Sequence, residues 1–532
     1  MKDQRSTAKP AKHADRENGG RVFLVGAGPG APDLITLRGA NVMRRADVVV
    51  YDALVSAEVL RLAPAAAERI FAGKKGGEER SADQSDINRI LIERARAGHR
   101  VVRLKGGDPF IFGRGGEEAE ALVAAGIPFE VVPGVTSAIA APAFAGIPLT
   151  HRDRGSFVTF ITGHQDSAKD AGQSPKDGIP WDDLARAAQH RGTLVILMAT
   201  ARMRSHLARL IAGGLAAETP AAAIEWGTTA AQKTIVAKLG TLADVAQTAA
   251  LKAPAVIVVG ECAALGRELN WFEAMPLFGR RIVITRAADD AIEFAARIRA
   301  LGGEAIEFPT IASAPPSSYE ILDRAIDEIG SFDWVIFTSV NGVDHFVDRL
   351  RNNARDLREM GRASIAAIGP ATADRVRHYA LTVAAMPSEY RAEAVLEAIG
   401  AERIAGARIL IPRAEVAREV LPEMLRHHGA REVIVAPAYR TVMPPKADAD
   451  RMRSLIASGA IDLLTFTSSS TVTNFAAMTS VQGSGLKAAA IGPITAETAR
   501  AHGFEVVVEP ADYTVDALIA AIVDHYAGIA RR

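Results

Sequence analysis

The stretch LKGGDPFIFGRGGEEAEALVAAGIPFEVVPGVTSAIAAPAFAGIPLTHR, residues 104–152, constrains the fold more than any other part of the chain. Packing alone does not require so many glycines, prolines and charges in one place. Residues 101–104 read as a buried strand, and Gly106-Gly107-Asp108-Pro109 follows at its C-terminal end, where open α/β sheets receive ligands. The two glycines let a ligand approach the backbone, and Asp108 offers an acceptor to an amine or hydroxyl. Gly113, Gly115 and Gly116 lead into a helix whose Glu117 and Glu118 suit a positive N-terminus. A second strand, residues 129–132, ends in Pro133-Gly134-Val135-Thr136-Ser137. Each turn alone reads as an ordinary strand-to-helix junction with a Ser or Thr cap. Together they predict one ligand cleft.

The preceding residues agree with an α/β unit. A short strand over 21–25 runs into Gly26-Ala27-Gly28-Pro29-Gly30, followed by an amphipathic helix over 34–46 and a strand over 48–51. Pro32 breaks the G-x-G-x-x-G dinucleotide fingerprint and no acidic residue tips the next strand in the expected way, which disfavours NAD and an oxidoreductase. Asp52 and Lys74 stand at successive strand ends, where a carboxylate and an ammonium can exchange protons with a ligand. Their bland alternatives are a helix cap and a surface lysine. A polar stretch over 166–179 reads as a mobile surface loop separating a second lobe, with strands over 193–198, 221–226, 233–238 and 255–260.

Periodicity breaks at 269–279, and a new domain starts there. It repeats itself: GRRIVITR at 279 matches GARILIPR at 406, FDWVIFTSVNGVDHF at 332 matches IDLLTFTSSSTVTNF at 461, and IAAIGPATADRV at 365 matches AAAIGPITAETA at 488. An offset of about 125 residues suits two similar α/β lobes. In each, a buried strand ends in hydroxyls at a helix start: Thr338-Ser339 and Thr467-Ser468-Ser469.

Composition removes several function classes. Lysine plus arginine and aspartate plus glutamate both number 62, so no global field draws in nucleic acid or an acidic membrane. The one cysteine, Cys262, lies in an apolar run, which excludes disulfides and thiolate metal clusters and predicts a buried, inert thiol. No apolar run reaches the roughly 20 residues a membrane span needs. These features predict a soluble, cytoplasmic protein, and no metal, nucleic-acid partner or membrane partner is expected. Residues 1–20 mix charges without apolar content and read as a disordered tail.

The glycine-rich cleft motifs resemble those of the tetrapyrrole methylases, in particular the uroporphyrinogen-III C-methyltransferases, over about residues 22–272. The resemblance implies S-adenosyl-L-methionine as cofactor, which carries no phosphate and suits a loop lacking a pyrophosphate cradle. It implies cofactor contacts at Pro29, Gly106, Gly107, Asp108, Ile111, Thr136, Ser137, Met198 and Gly227, a proton acceptor at Asp52 and a donor at Lys74. Leu197-Met198-Ala199 stands where the family has Tyr-Met-Gly, and after Gly76 the chain is one residue longer and lacks the usual histidine. The substrate's eight carboxylates call for cations, with Arg38, Arg114 and Arg152 as candidates beside Lys75, Arg103 and Lys105.

Residues 279–532 resemble uroporphyrinogen-III synthase, in which the chain crosses between two lobes and returns. That resemblance implies substrate carboxylates held near Thr338, Ser339, Thr467 and Ser468, and Tyr439 in the cleft to help hydroxide leave hydroxymethylbilane. The expected fold is therefore α/β: a two-lobed tetrapyrrole methylase fold followed by a two-lobed uroporphyrinogen-III synthase fold. The expected boundaries are 21–272, with lobes at about 21–155 and 156–272, a linker at 273–278, and 279–532. The expected activity is synthesis of uroporphyrinogen III and its methylation at C2 and C7 to precorrin-2, by a homodimer formed through the methyltransferase half. The few residues before Val22 are too short for the dehydrogenase and chelatase domain of related multifunctional proteins, so the reaction is expected to stop there. The alternative is a methyltransferase joined to a non-catalytic, two-lobed ligand-binding module.

Overall fold

The computed structural model describes residues 20–73, 84–163, 178–387, 392–416, 419–444, 449–482 and 485–530. The chain divides into two compact units, one comprising the residues up to Arg280 with Leu301–Glu304, the other Arg281–Ala300 with Ala305 onward. Among the described residues no helix is long and apolar enough to cross a membrane.

The first unit holds two sheets. Strands β1 (Arg21–Gly26), β2 (Val48–Tyr51), β3 (Glu68–Phe71), β4 (Arg100–Lys105) and β5 (Phe129–Val132) form a parallel sheet in the order β3-β2-β4-β1-β5. Its central strands are largely apolar on both sides, as a parallel sheet covered by helices requires, with Arg103 and Lys105 of β4 the buried exceptions. Val22, Leu24, Val48, Val50 and Val101 meet Leu91 and Leu122 on one face. Phe23, Val25, Val49, Val102 and Leu104 meet Met43 and Val59 on the other. Strands β6 (Phe157–Thr162), β7 (Gly192–Leu197), β8 (Pro220–Glu225), β9 (Lys233–Lys238) and β10 (Ala255–Val259) form a mixed sheet in the order β6-β7-β10-β8-β9. The alanine-rich helix Ser137–Phe144 seats Ala138 and Ala141 on this sheet against Val195, Ala222, Ile224 and Val256. The unit closes on an aromatic cluster, where Trp271 and Phe272 lie 5.1 and 4.9 Å from Phe144 and Phe278 lies 5.3 Å from Phe272. Half-buried Phe278, at the end of the segment expected to be a linker, thus packs on the aromatic cluster of the first unit.

The second unit contains β11 (Arg281–Ile284), β12 (Glu304–Glu307), β13 (Ala312–Ala314), β14 (Trp334–Phe337), β15 (Ser364–Ala367), β16 (Val383–Ala385), β17 (Arg408–Ala414), β18 (Glu432–Val442), β19 (Leu463–Phe466), β20 (Lys487–Ala490) and β21 (Glu505–Val508). They form two sheets, β12-β11-β19-β20-β21 and β13-β18-β17-β14-β15-β16. The repeats are real, but neither sequence repeat is a lobe. β11 and β12 of the first repeat pair with β19, β20 and β21 of the second, while β17 and β18 of the second pair with β14, β15 and β16 of the first. Each lobe is assembled from the opening strands of one repeat and the closing strands of the other.

Candidate functional site

A cleft of about 670 Å³ opens where the strands of both sheets in the first unit end. From the parallel sheet come Gly28, Pro29 and Gly30 after β1, Leu54 after β2, Gly106 to Asp108 and Ile111 to Gly113 after β4, and Thr136 and Ser137 after β5. From the mixed sheet come Leu197 and Met198 at the end of β7, Trp226 and Gly227 after β8, and Ala253 to Val256 around the start of β10. All nine positions at which cofactor contacts were expected line this cleft, although they are scattered between residues 29 and 227. Seven of them are collected by the parallel strands, because every βα turn of such a sheet emerges on one edge, and Met198 and Gly227 follow β7 and β8 of the mixed sheet.

Backbone crowding explains much of the glycine. A Cβ on Gly134 would lie 2.2 Å from the Gly107 carbonyl oxygen and 2.6 Å from the Gly26 Cα, so the three turns can meet only as bare backbone. A Cβ on Gly227 would come within 2.4 Å of the Ala141 Cβ. Gly26, Gly107 and Gly134 thus serve backbone-to-backbone contact, a role distinct from the ligand approach expected from sequence. Asp108 ties the same turns together, its Oδ1 accepting from the Phe110 amide at 2.8 Å and its Oδ2 from the Gly134 amide at 3.0 Å. Each oxygen retains a further lone pair for a ligand. Thr136 caps the helix Ser137–Phe144 and is buried.

Strain concentrates here. Of the ten non-glycine residues with positive φ among the described residues, Phe112, Met198 and Trp226 line the cleft, and Arg114 and Thr228 adjoin it. Such conformations cost of order 1–3 kcal/mol each and persist only where the surroundings enforce them.

Asp52 follows β2 and is held by a buried charge network. The Arg103 Nη2 lies 2.6 Å from its Oδ1, and the Arg103 Nε and Lys105 Nζ donate to the Glu118 Oε1 at 3.0 and 2.9 Å. Asp52 is partly exposed, whereas Arg103, Lys105 and Glu118 are buried. Burial and the neighbouring Arg103 push the Lys105 ammonium below its usual pKa, against the opposing pull of Glu118 and Asp52. Arg103 and Lys105 are therefore not cations offered to a substrate. β4 is the central strand of its sheet, so its inward side chains are covered on both faces, and their charges are balanced internally. Arg38 and Arg114 are exposed but paired, with Glu130 and Glu117 at 2.6 Å each. Arg152 is exposed in the turn between the sheets. Lys74 and Lys75 lie outside the described residues, as do residues 1–19 and most of the polar stretch over 166–179. Cys262 is fully buried, and burial raises its thiol pKa.

In the second unit Tyr439 lies on β18 and Ser339 caps the helix Val340–Asn352. Their hydroxyls are 3.2 Å apart, and the Tyr439 ring stacks on His345 at 5.1 Å and 14°. Residues 100 positions apart in sequence are thus joined in one cluster with half-buried Thr338 beside it. In the other lobe Ser468 caps the helix Ser469–Thr479 and bonds to Thr471 and Ser470, with Thr467 half-buried before it. Both serines are caps, as the bland reading had it, but only Ser339 also meets the tyrosine.

Sequence reasoning missed Trp226, Phe112, Thr228, Gln232 and His345, and read Glu118 as a helix N-terminal charge without its buried pairing to Arg103 and Lys105. The run Gly227-Thr228-Thr229 carried a readable signal, since a glycine followed by hydroxyls also occurs in the cleft turn Gly134-Val135-Thr136-Ser137.

A family model described as Tetrapyrrole (Corrin/Porphyrin) Methylases matches residues 21–243, and one described as Uroporphyrinogen-III synthase HemD matches residues 292–520. The chain is 38% identical over 507 residues to the Porphyrin biosynthesis protein HemD of Ruminiclostridium josui, covering 95% of this chain and 98% of that protein. It is 49% identical over 244 residues to the S-adenosyl-L-methionine-dependent uroporphyrinogen III methyltransferase of Methanosarcina barkeri, covering 46% of this chain and 92% of that one. It is 53% identical over 257 residues to Siroheme synthase 1 of Serratia proteamaculans, covering 48% of this chain and 51% of that protein, so the match spans about half of that relative's length.

Proposed function

The chain belongs to the family of porphyrin-biosynthesis proteins that join a tetrapyrrole methylase to a uroporphyrinogen-III synthase, and from that premise we propose that it catalyses two consecutive reactions. Residues 279–532 close hydroxymethylbilane to uroporphyrinogen III, and residues 21–272 methylate that product at C2 and C7 to precorrin-2. The observation that carries this reading is that the two family models fall on separate compact units of one chain, and that one relative spans nearly all of it.

The cleft suits S-adenosyl-L-methionine. It is walled by Leu197, Ile224, Trp226 and Met198, offers the Asp108 carboxylate to a cation or hydroxyl, and has no lysine or arginine among its described lining residues for a phosphate. The cofactor, when bound, supplies a methyl group activated by a sulfonium. Pro29, Gly106, Gly107, Ile111, Thr136, Ser137, Met198 and Gly227 form its walls. Asp52, oriented by Arg103, accepts the proton that leaves the methylated ring, and Lys74 is the donor. Arg38, Arg114 and Arg152 meet substrate carboxylates, the first two by exchanging their exposed glutamate partners.

In the synthase half, Ser339, Thr338, Thr467 and Ser468 hold carboxylates at helix N-termini, and Tyr439 assists departure of the hydroxyl. Because the linear precursor also closes unaided to the wrong isomer, this half acts chiefly by imposing a conformation. The protein works in the cytoplasm as a homodimer formed through the methyltransferase half, which light scattering would test.

Purified protein given hydroxymethylbilane and S-adenosyl-L-methionine should form precorrin-2 with two methyl groups transferred. If only the unaided isomer appears while added uroporphyrinogen III is methylated, residues 279–532 are a binding module instead.

A further inference from the structure

We propose that Thr228, held in place by Gln232, is a positioning residue for the cofactor: from the mixed sheet it fixes the Gly28-Pro29-Gly30 turn of the parallel sheet, setting that turn before any ligand arrives. The proposal rests on the reading of the cleft as the S-adenosyl-L-methionine site.

Thr228 directly follows the cleft residue Gly227 and is buried with φ +71°. A β-branched residue seldom adopts the left-handed region, so something must hold it there. Its Oγ1 accepts a hydrogen bond at 3.1 Å from the amide of Ala31, 197 residues away. Ala31 is the N-cap residue of the short 3-10 turn Pro32–Leu34, whose first amides have no partner inside the turn. The adjoining turns touch: a Cβ on Gly30 would lie 2.7 Å from the Thr229 Cγ2 and 3.2 Å from the Thr228 Oγ1. Pro29 and Gly30 line the cleft, so whatever fixes Ala31 fixes its wall.

Gln232 supplies the restraint. It is 4% exposed, and its Oε1 accepts from the Thr228 amide at 2.8 Å. Its Nε2 donates to the Phe144 carbonyl at 3.3 Å and the Glu273 Oε1 at 3.1 Å. With partners on both ends, the amide has one orientation, and it holds the strained Thr228 amide from within the core. A threonine kept in an unfavourable conformation by a buried glutamine, with its hydroxyl on the opposite sheet's loop, is the arrangement expected where geometry is enforced for a ligand.

The test uses the full chain and two readouts: calorimetric binding of S-adenosylhomocysteine, and hydrogen exchange at the Ala31 amide without ligand. Thr228→Val and the less crowded Thr228→Ala should each weaken binding about tenfold, the loss of about one hydrogen bond. Both should also deprotect Ala31. Thr228→Ser should restore both within about twofold, and Gln232→Glu, which places a carboxylate beside Glu273, should shift both in the direction of the alanine variant. Affinity unchanged in Thr228→Ala, or Ala31 protection unchanged in it, overturns the proposal. Failure of the unaltered chain to bind S-adenosylhomocysteine removes the cofactor reading and the proposal with it.

Discussion

In the first unit the cleft is lined by turns that each occur once and cannot be interchanged, whereas in the second unit one hydroxyl-capped turn is used twice and only one copy is elaborated. Gly26, Gly107 and Gly134 cross as bare backbone, and Asp108 bonds two different turns at once. The lobes of the second unit instead share a strand order, and Ser339 and Ser468 cap equivalent helices. Aligning Pro309 of one lobe with Pro437 of the other places Ile311 where Tyr439 stands. The pseudo-symmetric pair is therefore broken at the residue proposed to assist ring closure. Duplication supplies two hydroxyl-capped turns, and a single difference places a tyrosine hydroxyl beside only one of them. A once-only cradle has no such spare copy, so its residues leave a denser signature.

The sharpest way to break this contrast is Gly134→Ala. Its Cβ would meet backbone that cannot rotate away, so the first unit should lose about 3 kcal/mol or more. Calorimetry should show that loss in one transition, while ring closure by the second unit persists. A variant of wild-type stability would show that the three-turn crossing is looser than its geometry states.

Asp108→Ala should come next, abolishing methyl transfer and leaving ring closure intact. It removes the acceptor of the Phe110 and Gly134 amides together with the ligand's own, each worth about 1.5–3 kcal/mol when the acceptor is charged. Wild-type affinity for S-adenosylhomocysteine in this variant would remove Asp108 from the site.

Tyr439→Phe should slow ring closure about a hundredfold, the low end for loss of a general acid, and leave methylation of added uroporphyrinogen III unchanged. Full activity of this variant would make the second unit as symmetric in chemistry as it is in fold.

The smallest effect sharpens the lobe comparison. Ser339→Ala and Ser468→Ala should each cost about 1 kcal/mol of stability, the ordinary value of an N-cap. Only Ser339→Ala should also change the pH dependence of ring closure, because only Ser339 touches the tyrosine hydroxyl. Equal kinetic effects would place the chemistry in both lobes.

The cleft of the first unit was legible because its determinants are local. Gly106-Gly107-Asp108 and Thr136-Ser137 each sit at a strand end, and parallel strands bring their ends to one edge whatever the details of packing. The NAD reading was disfavoured by Pro32 and by the lack of an acidic tip on the next strand. The repeats of the second unit were also visible as matched strings, as was the cap role of Ser339 and Ser468.

Pairing between distant segments was decided only by the tertiary structure. Nothing in VVRLKGG says that Arg103 and Lys105 turn inward to Glu118 and Asp52, since that depends on β4 becoming the central strand. Nothing in the two repeats says that they exchange strands, because a strand's neighbour is chosen by the completed sheet and not by its own side chains. The contact between Thr228 and Ala31 joins residues whose only relation is that two sheets end at the same cleft. The sequence by itself determined which strand-end turns could line a cleft, because those signals are local; burial and strand order determined which charges are paired inside and which hydroxyls meet.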